Sequence, residues 1–422
     1  MTFTLTPPRT EASGPADLLD ADFYAFQHLL TDAEQRALTE IRAFLDAKVR
    51  PYADDLWERA ESPRHLVARI AELGLYANAF PETRRFENSA VFRGWVAMEL
   101  SRADPSIATF IGVHSGLAMT SIAVGGSDEQ KAEWLPKLAA GELVAAFGLT
   151  EPGHGSDTAR GLETTAERRV RSDGTAEWVL NGSKRWIGNG AFADLVVIWA
   201  RDLADDQVKG FLVRTPAVGF AATKIERKQS LRGVENADIV LENVVVAEAD
   251  RLQRIEGFRD LAVVLRLTRA DVAWQALGVG VGAYEAALAY AKARIQFGKP
   301  IASFQLVQEK LAVALSNITA SIALSVRVSQ MQDEGIQADH HSAMAKAFVS
   351  ARVRETVALC REICGGNGIQ LGGQDQLGAG IPAGYGIARY FADAEAVYTF
   401  EGTYDMNTLI VGRAITGIAA FV

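Results

Sequence analysis

The chain has 422 residues, enough for about three domains or for one compact unit built of three parts. Hydrophobic residues make up 49% and charged residues 23%, which excludes a largely disordered chain, a collagen-like repeat and a disulfide scaffold. Lys and Arg number 43 against 52 Asp and Glu, and the formal charge of -9 argues against a nucleic-acid or anionic-membrane binder, since both need a basic footprint. The two cysteines, Cys360 and Cys364, cannot build a zinc site alone; at i,i+4 spacing they read as two buried small apolar residues on one helical face.

Residues 1–28, rich in Pro, Thr and acids, read as an N-terminal extension. One Arg against four acids in residues 1–30 is unlike a transit peptide, and no basic start and apolar core mark a secretory signal, so the expected location is cytoplasmic. Residues 29–143 read as a helical domain. Thr31 followed by Glu34 is a capping box, and Leu38, Ile41, Phe44, Leu45 and Val49 then recur at helical spacing. The pattern changes over residues 144–256. Short β-branched runs such as Trp178-Val179-Leu180, Leu195-Val196-Val197-Ile198-Trp199 and Ile239-Val240-Leu241, punctuated by Gly, Asn and Asp, predict a compact barrel or sandwich. Helical periodicity returns over residues 257–422, with long helices expected at 261–293, 303–335 and 339–364. Gly278, Gly280 and Gly282 lie inside the first of these and suggest close helix packing rather than a dinucleotide loop. Six glycines crowd residues 372–386.

Five segments carry candidate chemistry. Residues 147–157 (Phe147-Gly148-Leu149-Thr150-Glu151-Pro152-Gly153-His154-Gly155-Ser156-Asp157) form a glycine- and hydroxyl-rich loop suited to close ligand approach, or an ordinary turn. Residues 181–190 begin with Asn181-Gly182, a hairpin signal, and continue to Trp186-Ile187-Gly188-Asn189, where Trp186 also reads as plain core. In residues 290–300, Gly298 reads as the helix stop, and Arg294 is either a dipole partner or a phosphate ligand. Gly365-Gly366-Asn367-Gly368 follows a helix ending Glu362-Ile363-Cys364. In residues 398–407, Glu401 either opens a helix in solvent or is buried, and burial would raise its pKa toward that of a general base.

In this order, on a helical–β–helical plan over residues 30–422, the five segments resemble the acyl-CoA dehydrogenase family. The resemblance implies an α+β fold: an N-terminal helical domain, a middle β-barrel and a C-terminal four-helix bundle, assembled as a homotetramer (a dimer of dimers) with FAD between the β and C-terminal parts. It implies an oxidoreductase of fatty acid or amino acid catabolism, with Glu401 as catalytic base and no metal. Phe147, Leu149, Thr150 and Ser156 would line FAD or the acyl-CoA, and Trp186, Ile187 and Gly188 would lie along the flavin. Arg294, Phe297, Gln305, Glu362, Ile363, Gly365 and Gly366 match segments that hold the FAD of the adjacent subunit. Thr403 and Asp405 would close over the cofactor, and Ser156, Arg269 and Gly402 would bind substrate. Glu401 would take the α-proton while the β-hydride passes to flavin N5, giving a trans-2-enoyl-CoA, with electrons passed to an electron-transfer flavoprotein.

Departures narrow this expectation. The last helix looks most like the glutaryl-CoA branch, but Ala108 stands where that branch places an Arg for the distal carboxylate, which disfavours glutaryl-CoA and favours a short neutral acyl group. Residues 105–117 and Gly188 look instead like short-chain acyl-CoA oxidases. Most of the family carries Thr at position 188, and its loss is expected to leave room near the flavin for oxygen. Acyl-CoA oxidation by O2, or oxidation of a non-CoA substrate in a biosynthetic pathway, are therefore the alternatives.

Overall fold

A computed structural model of the chain describes residues 18–373 and 380–420. Residues 1–17 of the expected extension and 374–379 of the glycine-rich stretch lie outside the described residues. The first part holds helices α1 (Asp32–Phe44), α2 (Arg50–Arg59), α3 (Val67–Glu72), α4 (Ala90–Ala103), α5 (Pro105–Ile111), α6 (Thr120–Gly125) and α7 (Asp128–Ala139). Their starts are written locally. Thr31 with Glu34 and Ser127 with Gln130 form capping boxes, Ser89 caps α4, and Asp104 caps α5 with Pro105 in its first turn.

Strands β1 (Ala145–Gly148), β2 (Thr165–Val170), β3 (Ala176–Ile187), β4 (Leu195–Asp202), β5 (Val208–Arg214), β6 (Phe220–Lys224) and β7 (Ala237–Ala247) follow. They form one curled sheet in the order β1-β4-β2-β3-β7-β6, with β5 paired on β4. The fully buried run Leu195 to Ala200 on β4 makes its centre. The Asn181-Gly182 hairpin expectation is corrected: both residues lie inside β3, where the register against β7 shifts between Leu180 and Gly182. The pair makes a bulge rather than a turn, because the strand passes close to Thr164; a Cβ on Gly182 would stand 2.6 Å from Thr164 Cα.

The third part begins with the 36-residue helix α8 (Phe258–Ala293). It stops at Arg294, not at Gly298. Phe297 and Gly298, both with positive φ, turn the short hairpin of β8 (Ile295–Gln296) and β9 (Lys299–Pro300) that projects beyond it. Helices α9 (Gln305–Asp333), α10 (Asp339–Ile363) and α11 (Ile387–Thr399) complete a bundle with α8, and α12 (Tyr404–Thr416) packs on α10. Cys360 and Cys364 are buried and free within it; burial pushes the Cys364 thiol up to about 12.

The glycines of α8 set how the parts meet. A Cβ on Gly278 would lie 2.2 Å from Met98 O, and one on Gly282 would lie 2.6 Å from Arg102 O, so α8 and α4 touch backbone to backbone. Buried ion pairs surround this contact. Glu99 receives Arg102 at 2.6 Å and Arg42 at 2.7 Å, and Arg102 also reaches Glu285 at 2.9 Å. Arg389 of α11 lies fully buried against Asp54 of α2 at 2.8 Å. The other oxygen of Asp54 accepts the N–H groups of Gly372, Gly384 and Gly386, tying both described flanks of the glycine-rich stretch to α2.

Removing one partner from a buried pair leaves the other charge uncompensated. Arg389→Met is therefore expected to lower unfolding free energy in urea by about 3–5 kcal/mol. Arg354→Ala, which breaks the solvent-exposed pair with Glu395, is expected to change it by about 0.5 kcal/mol or less.

Candidate active site

Glu401 sits in the short link, residues 400–403, between α11 and α12. Its φ is 51° and that of Gly402 is 90°, so two successive residues adopt the left-handed conformation before Thr403 caps α12 through Met406 N–H. A Cβ at position 402 would stand 3.0 Å from the Asn407 amide nitrogen, so this left-handed position suits glycine. The Glu401 side chain is partly buried. Thr268 Oγ1 donates to Glu401 Oε2 at 3.0 Å, while Oε1 and the Glu401 N–H have no hydrogen-bond partner among the described residues. Burial pushes the carboxyl up to about 7; the Thr268 hydroxyl and the nearby charges of Arg269 and Lys346 oppose the rise, and Asp271 adds to it. Arg269 itself is largely desolvated, which lowers its pKa, and its Nε is buried without a hydrogen-bond partner among the described residues.

The β part supplies a second group of candidates. Phe147 and Leu149 are buried at the end of β1, and Thr150 O accepts Arg185 N–H at 2.8 Å. Beyond them, Glu151 pairs with the buried Lys184 at 2.7 Å and also accepts the N–H groups of Glu163 and Thr164. That pair fixes the loop on which Ser156 stands exposed. Trp186 is not core: it is 51% exposed, with φ 64°, at the end of β3. Ile187 and Gly188 are buried behind it.

The expected room at Gly188 is corrected. A Cβ there would lie 2.7 Å from Val113 Cγ2, so Val113 fills the space that a larger residue would take. Next to Val113, a Cβ on Gly112 would lie 2.9 Å from Gln275 Nε2, so residues 112–113 of the first part touch Gly188 on one side and α8, seven residues beyond Thr268, on the other. An exposed indole on a left-handed strand end, followed by the buried Ile187 and Gly188 and tied through the Arg185 backbone to Thr150, fits the flat ring system of a flavin. Near Ser156, a cleft of about 600 Å³ is lined by Thr158, Arg160, Leu162, Arg201, Gln207 and Arg259. Arg160 and Arg259 have no ion-pair partner among the described residues. Arg259 lies ten residues before Arg269 on α8, about 15 Å along the helix.

The remaining candidates gather elsewhere. Arg294 caps α8, Phe297 is 93% exposed on the hairpin, and Gln305 opens α9. Glu362 pairs with Lys310 at 3.2 Å, Ile363 is buried, and Gly365 and Gly366 follow α10 in open space. From Thr268 to Ala293 is 25 residues of one helix, about 37 Å, so the chain does not bring this set to Glu401. Thr403 and the exposed Asp405 stay beside Glu401 in the first turn of α12.

Sequence reasoning missed Thr268, Lys184 and Lys346. Lys346 Nζ, buried, donates to Tyr398 O at 2.8 Å and Gly402 O at 2.7 Å, bracketing Glu401. A signal for it existed: Lys346 occupies the inward face of α10 with Ala343, Val349, Ser350 and Val353.

Family models cover most of the chain. That for the acyl-CoA dehydrogenase N-terminal domain matches residues 31–142, that for the middle domain 146–244, and that for the C-terminal domain 256–416. An acyl-CoA dehydrogenase of Bacillus subtilis (strain 168) is 31% identical over 382 residues, 89% of this chain and 96% of the relative. The solved structure of glutaryl-CoA dehydrogenase from Mycobacterium smegmatis superposes with a TM-score of 0.87 at 34% identity, covering 96% of this chain and all of the other. A structure of that enzyme in complex with FADH2 matches with the same TM-score at 33% identity and the same coverage. The chain belongs to the acyl-CoA dehydrogenase family, whose members are FAD enzymes.

Proposed function

We propose that the protein oxidises a short, neutral acyl-CoA to the trans-2-enoyl-CoA, with Glu401 as the base that takes the α-proton. The observation that carries this reading is the Glu401 carboxyl, raised to about 7 and held through one oxygen by Thr268. A carboxylate of that pKa is partly ionised at neutral pH and basic enough to accept a proton from a weak carbon acid. The unengaged Oε1 receives the proton, and the free Glu401 N–H is suited to the thioester oxygen as it gains negative charge. FAD, when bound, supplies the acceptor for the β-hydride. Phe147, Leu149, Thr150, Trp186, Ile187 and Gly188 would hold it, with Thr403 and Asp405 beside it.

The arginine-lined cleft fits the phosphates of CoA, and Ser156, Arg269 and Gly402 would bind the rest of the thioester. The neutral acyl group is supported from two sides. Ala108 is buried and offers a distal carboxylate no partner. Asp271, one turn from Thr268, carries a carboxyl pushed up to about 6 by burial and would repel a second acid. The set about 37 Å away would serve the FAD of a second copy, in a homotetramer. Exposed apolar side chains on the same part of the chain, including Phe297, Leu306 and Ile369, support such assembly. Electron-transfer flavoprotein is the proposed acceptor of the electrons. The Val113 contact at Gly188 favours this over direct reaction with O2.

Anaerobic titration with a panel of acyl-CoAs, followed by air, tests the assignment. Short neutral thioesters are expected to bleach the flavin, glutaryl-CoA is not, and reoxidation in air is expected to be slow. Glu401→Gln should retain FAD and lose at least about 100-fold in the rate of reduction; a normal rate refutes the base assignment. For the wild type, kcat/KM should rise with pH and reach half its plateau near pH 7, because Glu401 works only when ionised. Replacing both Arg160 and Arg259 by Ala should raise KM for the CoA thioester about tenfold or more, and leave reduction by the matching N-acetylcysteamine thioester, which lacks the phosphates, unchanged.

A further inference from the structure

Lys346 is not explained by packing alone. It is fully buried on α10, and burial lowers its pKa to about 8. Its ammonium donates to Tyr398 O on one side of Glu401 and Gly402 O on the other. Asn407 Nδ2 shares the second carbonyl at 2.8 Å. The chain between those carbonyls is the segment that turns left-handed at Glu401, where a residue with a Cβ is disfavoured. Two hydrogen bonds from one cation therefore span the strained link and fix where the carboxyl emerges. The same charge faces the carboxyl, together with Arg269 and opposed by Asp271, both from α8.

We propose that Lys346 is a positioning residue for the base: it clamps the carbonyls of Tyr398 and Gly402, holds Glu401 in its left-handed turn, and places a positive charge that favours the carboxylate over the acid. The inference rests on Glu401 acting as the base. An apolar residue of similar length would fill the same space, but it would leave two carbonyls unpaired and remove the charge. Glutamine would keep N–H donors on a shorter side chain without the charge, and arginine the charge without the geometry.

The test compares wild type, Lys346→Gln, Lys346→Met and Lys346→Arg as FAD-loaded enzymes, with Glu401→Gln in parallel. Rapid-reaction flavin reduction, exchange of the substrate α-proton in deuterated water, thermal unfolding and full pH profiles are recorded for each. Lys346→Gln and Lys346→Met are expected to lose about tenfold to 100-fold in kcat, with KM changed by about twofold or less, and α-proton exchange should fall in step. The acid limb of both profiles should move up by about one pH unit, because a cation beside the carboxylate is gone. Lys346→Arg should keep the acid limb of the wild type while losing kcat.

Wild-type kcat and an unshifted acid limb in Lys346→Gln and Lys346→Met would overturn the proposal. So would variants that lose FAD or fold at every pH, which would assign Lys346 to the core. If Glu401→Gln instead reduces its flavin normally, the base assignment fails, and that failure is separate from any result on Lys346.

Discussion

The architecture depends on one close approach: α8 lies backbone to backbone on α4 at Gly278 and Gly282, with no space for a side chain between them. That contact joins the first and third parts of the chain along a shared seam. It fixes the rotation of α8, and so decides which residues look toward Glu401 and toward Gly112. Thr268 and Gln275, seven residues apart, share one face by helical geometry, and that face meets Glu401 at one end and Gly112 at the other. A larger residue at either glycine would push the helix away from α4 and carry both contacts with it. The ion pairs around the seam add cost to any such shift, because Glu99 and Arg102 are buried and compensated only in the present arrangement.

The base is kept in balance by opposing influences. Burial favours the protonated acid, whereas Thr268, Arg269 and Lys346 favour the carboxylate. The folded state thus holds the Glu401 proton more tightly than the unfolded chain does. Its contribution to stability is complete below the unfolded pKa and is lost as pH rises through about 7. The ionised form needed for proton abstraction is therefore the form the fold favours less, a strain held locally at a residue already in a left-handed conformation.

Much of this was legible in the chain, where local chemistry decided the outcome. The Thr31–Glu34 capping box, the helical–β–helical order, the long helices and the glycine packing on α8 all follow from residues close in sequence. Errors arose where a distant partner overrode a local rule. Asn181-Gly182 is a good turn pair, but Thr164 and Asn243 hold it in a strand. Gly298 is a good helix stop, but α8 ends earlier and the glycine turns a hairpin. Val113 had no local signature of its role, and Lys346 showed only its place on an apolar helix face, because each acts on a segment 50 or more residues away.

The Asp54 tether has a consequence for variation in this chain. One carboxylate oxygen holds Gly372 on one side and Gly384 and Gly386 on the other, so both flanks of the glycine-rich stretch are pinned by the same atom. The entropy of closing a chain between two fixed ends grows only logarithmically with the number of residues between them, about 0.6 kcal/mol for each doubling. Residues can therefore be gained or lost between the anchors at little cost to the fold, while Asp54, Arg389 and the anchoring glycines cannot change so freely. The glycine-rich stretch is thus a place where length is cheap and its two ends are not.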